Sequence, residues 1–234
     1  IDYLDTVLRF YEGFLRRGVA VDFLHPEADS TAYSLVVAAA AHVLSDDAVR
    51  ALASVPARGD ALVVTYLSGV VDENLHIRLG GYLGGDGLRS ALGVSVEEFA
   101  PAADSTPFEV TGEHAGEADF WQELIRVDDA EVVSSFATGF AECSPAITVK
   151  RDAGAGSAWY VGTRPSTALM DSLVSAWLAD SGVHAAFDHA IADVETVVRG
   201  GQRLIANHSS VAIQLSIDDR RIDLPGYGAV WTQA

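Results

Sequence analysis

The apolar positions of this chain change rhythm three times. Tyr3, Val7, Phe10 and Phe14 recur at helical spacing, and Leu4, Leu8, Tyr11 and Leu15 widen the stripe. A helix is predicted there, ended by Gly18. Continuous apolar runs follow at Val19 to Leu24, Tyr33 to Ala40 and Ala61 to Tyr66, the last centred on Leu62-Val63-Val64. Runs of this length read as strands, the later two buried on both faces. Between them Ser45, followed by Asp46-Asp47, forms an N-cap with acidic residues in the first turn, and predicts a helix to about Val55. Strands alternating with helices imply a parallel sheet covered on both faces.

Past Tyr66 the apolar pattern gives way to a polar loop, Asp72-Glu73-Asn74-Leu75-His76-Ile77-Arg78. Glycines then crowd the chain at Gly80, Gly81, Gly84, Gly85 and Gly87, before a short helical pattern from Leu88 to Leu92. In open α/β sheets, ligands and partners dock beyond the carboxyl ends of strands, so function is sought first in this loop. Ser95 to Phe99, Phe108 to Val110 and Glu131 to Phe136 read as further strands. Phe120 to Val127 fits a strand or a short helix. Ala146 to Lys150 and Ser157 to Gly162 flank Asp152 to Gly156 in a hairpin pattern. Ala168 to Asp180 is amphipathic and helical, with Leu169, Leu173, Ala176 and Trp177 on one side, and Gly182 closes it.

The third rhythm is strict alternation. Val211, Ile213, Leu215 and Ile217 alternate, and turn-like stretches lie at Arg199-Gly200-Gly201, Asn207 to Ser210 and Asp218 to Arg220. No helix is expected after about Ala190. The reading is α/β: a parallel-sheet domain over residues 1–182, then a small antiparallel β domain of four or five strands over 183–234. The second is near the lower size limit for folding alone.

Composition narrows the function classes. A formal charge of −18 disfavours a phosphate backbone and an anionic membrane surface as partners. It reads as a solvated surface, with an acid-rich pocket for a sugar or cation as the alternative. No apolar run approaches the ~18–20 residues needed to cross a bilayer. Asp2, Asp5 and Arg9 interrupt the first helix, so no secretory signal is expected. Cys143 is the only cysteine, which excludes an intrachain disulfide and suits a reducing, cytoplasmic compartment. The chain starts at Ile1 and its only methionine is Met170, the pattern of a processed product or of a piece of a longer protein.

Candidate chemistry thins out residue by residue. The glycines lie well beyond the strand end, behind an acidic loop, and the only lysine is Lys150, so neither a dinucleotide fingerprint nor a P-loop fits. After the Ala61 to Tyr66 strand, Leu67-Ser68-Gly69 lacks the G-x-S-x-G frame of a nucleophile elbow. Cys143 precedes Ser144-Pro145 in a loop pattern. No two of His25, His42, His76, His114, His184, His189 and His208 share the i, i+4 spacing of a helical metal site. With 33 acidic residues, some carboxylate pair will always be close, so no glycosidase pair can be chosen. Trp159 and Trp177 sit in patterns of burial. Trp121 is the best candidate among the four tryptophans for an exposed stacking ring, although burial is the commoner fate of such a residue. Asn207-His208-Ser209 fits a glycosylation sequon and is read as a turn. No catalytic, cofactor-binding or metal-binding residue is assigned.

The segment TYLSGVVDENLHIRLGGYLG resembles the signature of the middle, trimerisation domain of family 42 glycoside hydrolases, which are β-galactosidases. RRGVAVDFLHPEADSTAYSLVVAAAAHVLSDDAVRAL is similar to the stretch after the first helix of that domain, and GSAWYVGTRPS to its end. LIANHSSVAIQL and LPGYGAVW resemble the small C-terminal β domain. The resemblance implies a flavodoxin-like, glutamine-amidotransferase-like fold without its nucleophile. It also implies a homotrimer, and a galactoside substrate handled by catalytic glutamates in an N-terminal β/α barrel that this chain does not contain. In the family a strand and an aromatic-rich loop precede the first helix. Asp72, Glu73, Asn74, His76 and Arg78 are then expected to line an interdomain or intersubunit surface, their character suiting a polar rim. A carbohydrate-binding module and an amidotransferase-like enzyme are the alternative readings.

Overall fold

The computed structural model describes residues 3–79, 82–102, 106–152, 156–217 and 220–233. The chain forms two compact units. One holds residues up to Val7 with Leu24–Val183, and the other holds Leu8–Phe23 with His184–Ala234. Helix α1 (Tyr3–Leu15) is therefore shared, and its Phe10 and Phe14 are buried, as their spacing requires.

The first unit is built on an eight-stranded mixed sheet. Strands β1 (Leu35–Ala38), β2 (Ala61–Thr65) and β9 (Ser157–Val161) run parallel. Next to β9 come β8 (Pro145–Arg151), β7 (Glu131–Phe136), β4 (Phe108–Gly112), β5 (Gly116–Asp119) and β10 (Arg164–Pro165), each antiparallel to its neighbour. Two further strands, β3 (Val94–Pro101) and β6 (Trp121–Val127), form a separate antiparallel ribbon, with a bulge between Val96 and Glu98.

The expectation of a parallel sheet thus holds for three strands and stops there. The reason lies in the connections. A parallel neighbour needs a crossover of a dozen or more residues, which α2 (Asp46–Ala57) supplies between β1 and β2. The short links among β7, β8 and β9 permit only antiparallel pairing. The residues at the tip of the β8–β9 hairpin pattern, 153–155, lie outside the described residues.

Helices cover both faces of the parallel part. Ser45 caps α2 by accepting the Ala48 N–H at 3.1 Å. Val49, Leu52 and Val55 then pack with Leu62, Val64 and Tyr160, and with Leu88 and Leu92 of α3 (Asp86–Leu92). On the opposite face lies α4 (Thr167–Ser181), which buries Leu169, Leu173, Val174 and Trp177 and ends at Gly182 with φ +67°. Trp159 of β9 faces this helix and donates its indole N–H to Asp180 at 2.8 Å. Val19 to Leu24 forms no strand: it has no ladder partner, and Phe23 stays two-thirds exposed.

The second unit contains a three-stranded antiparallel sheet of β11 (Val194–Arg199), β12 (Gln202–Asn207) and β15 (Ala229–Gln233), and a hairpin of β13 (Ile213–Ile217) and β14 (Arg220–Leu224). Gly200 and Gly201 join β11 to β12 with φ of +58° and +76°, the conformation a two-residue hairpin turn demands. Phe187, Val194, Ile205, Leu215, Ile217, Ile222 and Leu224 make its core. Asn207 is buried, donating to the Val211 and Pro225 carbonyls and accepting from the Ser209 N–H, so the sequon-like triplet is a structural turn.

Candidate functional site

Strand β2 is buried along its whole length and delivers the chain to its carboxyl end at Tyr66. Leu67 follows with φ +59°, a sharp reversal of the kind that mounts the nucleophile in α/β-hydrolases. Here the side chain at the reversal is a buried leucine. The next residue, Ser68, has its hydroxyl engaged by the Ala41 N–H at 3.1 Å and the Ala38 carbonyl at 3.3 Å, and no histidine partners it. Cys143 is exposed, far along the chain in a turn. Tyr66, Leu67 and Trp121 pack together with Val70 and Phe120, so side chains fill the place where an open sheet would hold a ligand.

The chain then makes a miniature hairpin. Val71 bridges Val43 on one side and Ile77 on the other. At its tip, Asp72 organises the turn: one carboxylate oxygen accepts the N–H groups of Asn74 at 2.8 Å and His76 at 2.9 Å. The His76 N–H, then burial acting the other way, and the Asn74 N–H set the Asp72 carboxyl, with a net displacement below the usual aspartate range. The His76 ring nitrogen stands 3.3 Å from the second Asp72 oxygen.

Arg78 braces the return strand from inside. Its guanidinium donates to the Leu44 carbonyl at 2.7 Å and pairs with Asp46, in the first turn of α2, at 2.9 Å. Among the described residues of the loop and its roots, the backbone carries strain at three leucines: Leu67, Leu75 and Leu83 have φ of +59°, +63° and +71°. Each left-handed leucine costs on the order of 1–3 kcal/mol and persists only where its surroundings enforce it.

The bracing displays an apolar edge. Leu75 and Ile77 are each 69% exposed and Leu79 is 87% exposed, with Val43 beside them at 44%. Of the residues expected at an interface, Glu73, Asn74 and His76 lie on the surface, whereas Asp72 and Arg78 are half-buried and hold the loop in shape. The reading of a polar rim did not include Leu75 and Ile77, which lie between these residues, or Leu79, which follows them. Their period of two, Leu75-x-Ile77-x-Leu79, was the signal.

The model of the β-galactosidase trimerisation domain matches residues 1–184. The chain belongs to the β-galactosidase trimerisation domain family. Among curated relatives, a β-galactosidase of Arthrobacter sp is 36% identical over 217 residues, covering 91% of this chain and 30% of that protein. β-Galactosidase LacZ of Heyndrickxia coagulans is 32% identical over 200 residues, covering 85% of this chain and 30% of its own length. A solved β-galactosidase from the haloarchaeon Halorubrum lacusprofundi superposes with a TM-score of 0.89 at 26% identity, over 100% of this chain and 36% of that one. The cold-adapted enzyme of Rahnella sp. R3 has the same TM-score at 24% identity and shares the fold. This trimerisation domain and the β unit after it span about a third of the length of these relatives.

Two other features lie away from the loop. His114 accepts or donates at Nδ1 with the Ser172 hydroxyl at 2.9 Å and packs near Trp159, and burial depresses its pKa. Trp121, the candidate for exposure, is buried, and the exposed tryptophan is Trp231 of β15, at 61%. In the β11–β12–β15 sheet, Val197, Leu204 and Trp231 share one cross-strand row on the outer face. Among the described residues no group of three or more His, Cys, Asp or Glu is arranged to hold a metal ion. No described helix is long and apolar enough to cross a membrane.

Proposed function

We propose that this chain is the assembly region of a longer β-galactosidase, with the catalytic glutamates in an N-terminal β/α barrel and a galactoside as substrate. It joins three copies through the loop beyond β2. The observation that carries this reading is the exposed edge of Leu75, Ile77 and Leu79 on a loop held rigid by Asp72 and Arg78. An apolar edge of this kind, framed by the polar Glu73, Asn74 and His76, has the make-up of an interface core with its rim. The three parallel strands with helices on both faces, and the reversal at Leu67, support a flavodoxin-like, amidotransferase-like origin for the first unit. An exposed free thiol at Cys143 suits the cytoplasm.

Light scattering on the size-exclusion eluate, over a concentration series, tests the proposal. The expected mass is that of three 24.7 kDa chains. A single-chain mass at every concentration would overturn it.

The outer row of Val197, Leu204 and Trp231 favours a second reading, a carbohydrate-binding face on the β unit. Saturable quenching of tryptophan fluorescence by galacto-oligosaccharides, lost in Trp231→Ala, would establish it. Unquenched fluorescence would remove it.

A further inference from the structure

The assembly loop leaves the core at Leu67 and returns to it at Tyr82, and both of these points lead to one atom. Oε1 of Glu123, on β6, accepts the Leu67 N–H at 3.3 Å and the Tyr82 hydroxyl at 2.5 Å. The same oxygen accepts the Trp121 indole N–H at 2.9 Å, while Oε2 accepts the Tyr160 hydroxyl at 2.5 Å. Glu123 is completely buried. Among the described residues no ion pair reaches it, so hydrogen bonds alone offset its desolvation.

A carboxylate in that position is an expensive way to fill a core, and apolar residues of similar volume commonly serve as well or better. Its donors explain the choice. Tyr160 and Trp121 belong to the scaffold, whereas Leu67 and Tyr82 stand at the two ends of the loop. An acceptor with several lone pairs on one oxygen can tie both ends to a single point, which no apolar side chain can do. The chain at the two roots is also in close contact. The Gly84 N–H donates to the Gly69 carbonyl at 2.9 Å, and a Cβ on Gly69 would collide with the Gly84 backbone. Leu67, itself one of the tethered residues, is strained, and the strained Leu83 directly follows the other, Tyr82.

We propose that Glu123 is the positioning residue of the assembly loop: its Oε1 ties Leu67 and Tyr82 to one point, and so holds Leu75, Ile77 and Leu79 in the outward register that a second copy of this chain recognises. The role in assembly rests on the function proposed above, while the closure of the loop stands independently of it.

Two tyrosine variants separate loop closure from general stability, because each removes one hydroxyl from the same carboxylate. Tyr82→Phe releases the loop, and Tyr160→Phe releases only the scaffold. Amide hydrogen exchange of the full chain reads the Gly69, Arg78 and Gly84 N–H groups, which donate to the carbonyls of Ala41, Val70 and Gly69. In Tyr82→Phe their exchange is expected to rise about tenfold or more relative to the amides of β9, with the monomer–trimer midpoint moving to higher concentration by a similar factor. In Tyr160→Phe the ratio of loop to β9 exchange is expected to stay at its wild-type value. Unchanged loop exchange in Tyr82→Phe, or an equal rise in both variants, would overturn the proposal. Glu123→Gln, where it folds, is expected to behave like Tyr82→Phe in the loop. A wild-type chain that is monomeric throughout would defeat the assembly reading, and the exchange comparison would still decide the closure.

Discussion

Two of the regions that expose apolar side chains do so on different foundations. In the first unit, Leu75, Ile77 and Leu79 ride on a short hairpin whose turn is tied by Asp72, whose return strand is braced by Arg78, and whose backbone is strained at three leucines. In the second unit, Val197 and Trp231 stand on a regular antiparallel sheet with ordinary hairpin geometry. Exposure alone does not distinguish them, since much of any protein surface is apolar. What separates them is the structure invested in the display. A loop that keeps left-handed leucines and a half-buried arginine in place is maintained against its own local preferences, whereas the sheet face follows from its strands.

The strongest way to break this contrast is to place charge on the loop edge. Ile77→Asp with Leu79→Asp is expected to weaken self-association about a hundredfold or more, as for residues at the centre of an interface, while the thermal transition changes little. Sedimentation over a concentration range reads the first, and calorimetry the second. If the double variant assembles like the wild type, the loop is not the contact.

Arg78→Ala tests the brace. It removes a charge-assisted hydrogen bond to the Leu44 carbonyl, and a loss of about 2 kcal/mol in urea unfolding is expected from that bond alone. The paired Asp46 is largely exposed, so its contribution is discounted. A variant as stable as the wild type would show that the loop holds its shape without the arginine.

Acid should loosen the turn. The Asp72 carboxyl titrates below its unfolded value, so its contribution is present above the ordinary aspartate pKa and is lost as pH falls through the lowered folded pKa. His114, depressed by burial, also favours the folded state less as pH falls, beginning near the ordinary histidine pKa. Glu123 acts oppositely: burial, outweighing its four hydrogen bonds, raises its pKa. Only between the ordinary glutamate pKa and the raised one does the folded state hold a proton that the unfolded chain has lost, so its contribution weakens as pH rises through that interval. Asp72→Asn should therefore flatten the acid limb of loop hydrogen exchange specifically, and an unaltered limb would assign the acid sensitivity elsewhere.

The smallest effect is expected from Trp231→Ala. It should change stability by about 0.5 kcal/mol and leave the solution mass unchanged, as for a surface side chain apart from any contact. A loss of self-association in this variant would move the interface to the β unit and reverse the contrast.

Much of the fold was legible in local pattern. The apolar run at Ala61 to Tyr66, the Ser45 cap and the glycine stop at Gly182 all appear where expected, because each depends on neighbours within a turn or two. Phe120 to Val127 was ambiguous because Gln122 and Glu123 interrupt its apolar positions, and both proved to be buried in a strand. Of the candidate site, the loop was legible and its exposed apolar edge was not. The eye is drawn to Asp72, Glu73, His76 and Arg78, yet two of these hold the turn, and Leu75 and Ile77 between them, with Leu79 after them, face outward.

The sequence by itself determined the family, the main helices and central strands, and the position of the loop, since these follow from residue type, periodicity and motif, whereas the expected strand at Val19 to Leu24 did not form and β5 and β10 carried no readable pattern. Tertiary structure alone decided that five strands of the sheet run antiparallel, that Trp121 is buried while Trp231 is exposed, and that Glu123 receives both ends of the loop. Those outcomes rest on partners separated by tens of residues, as Glu123 is from Leu67 and Tyr82. Their energies come from burial and from completing hydrogen bonds away from water, and neither exists until the distant segments meet.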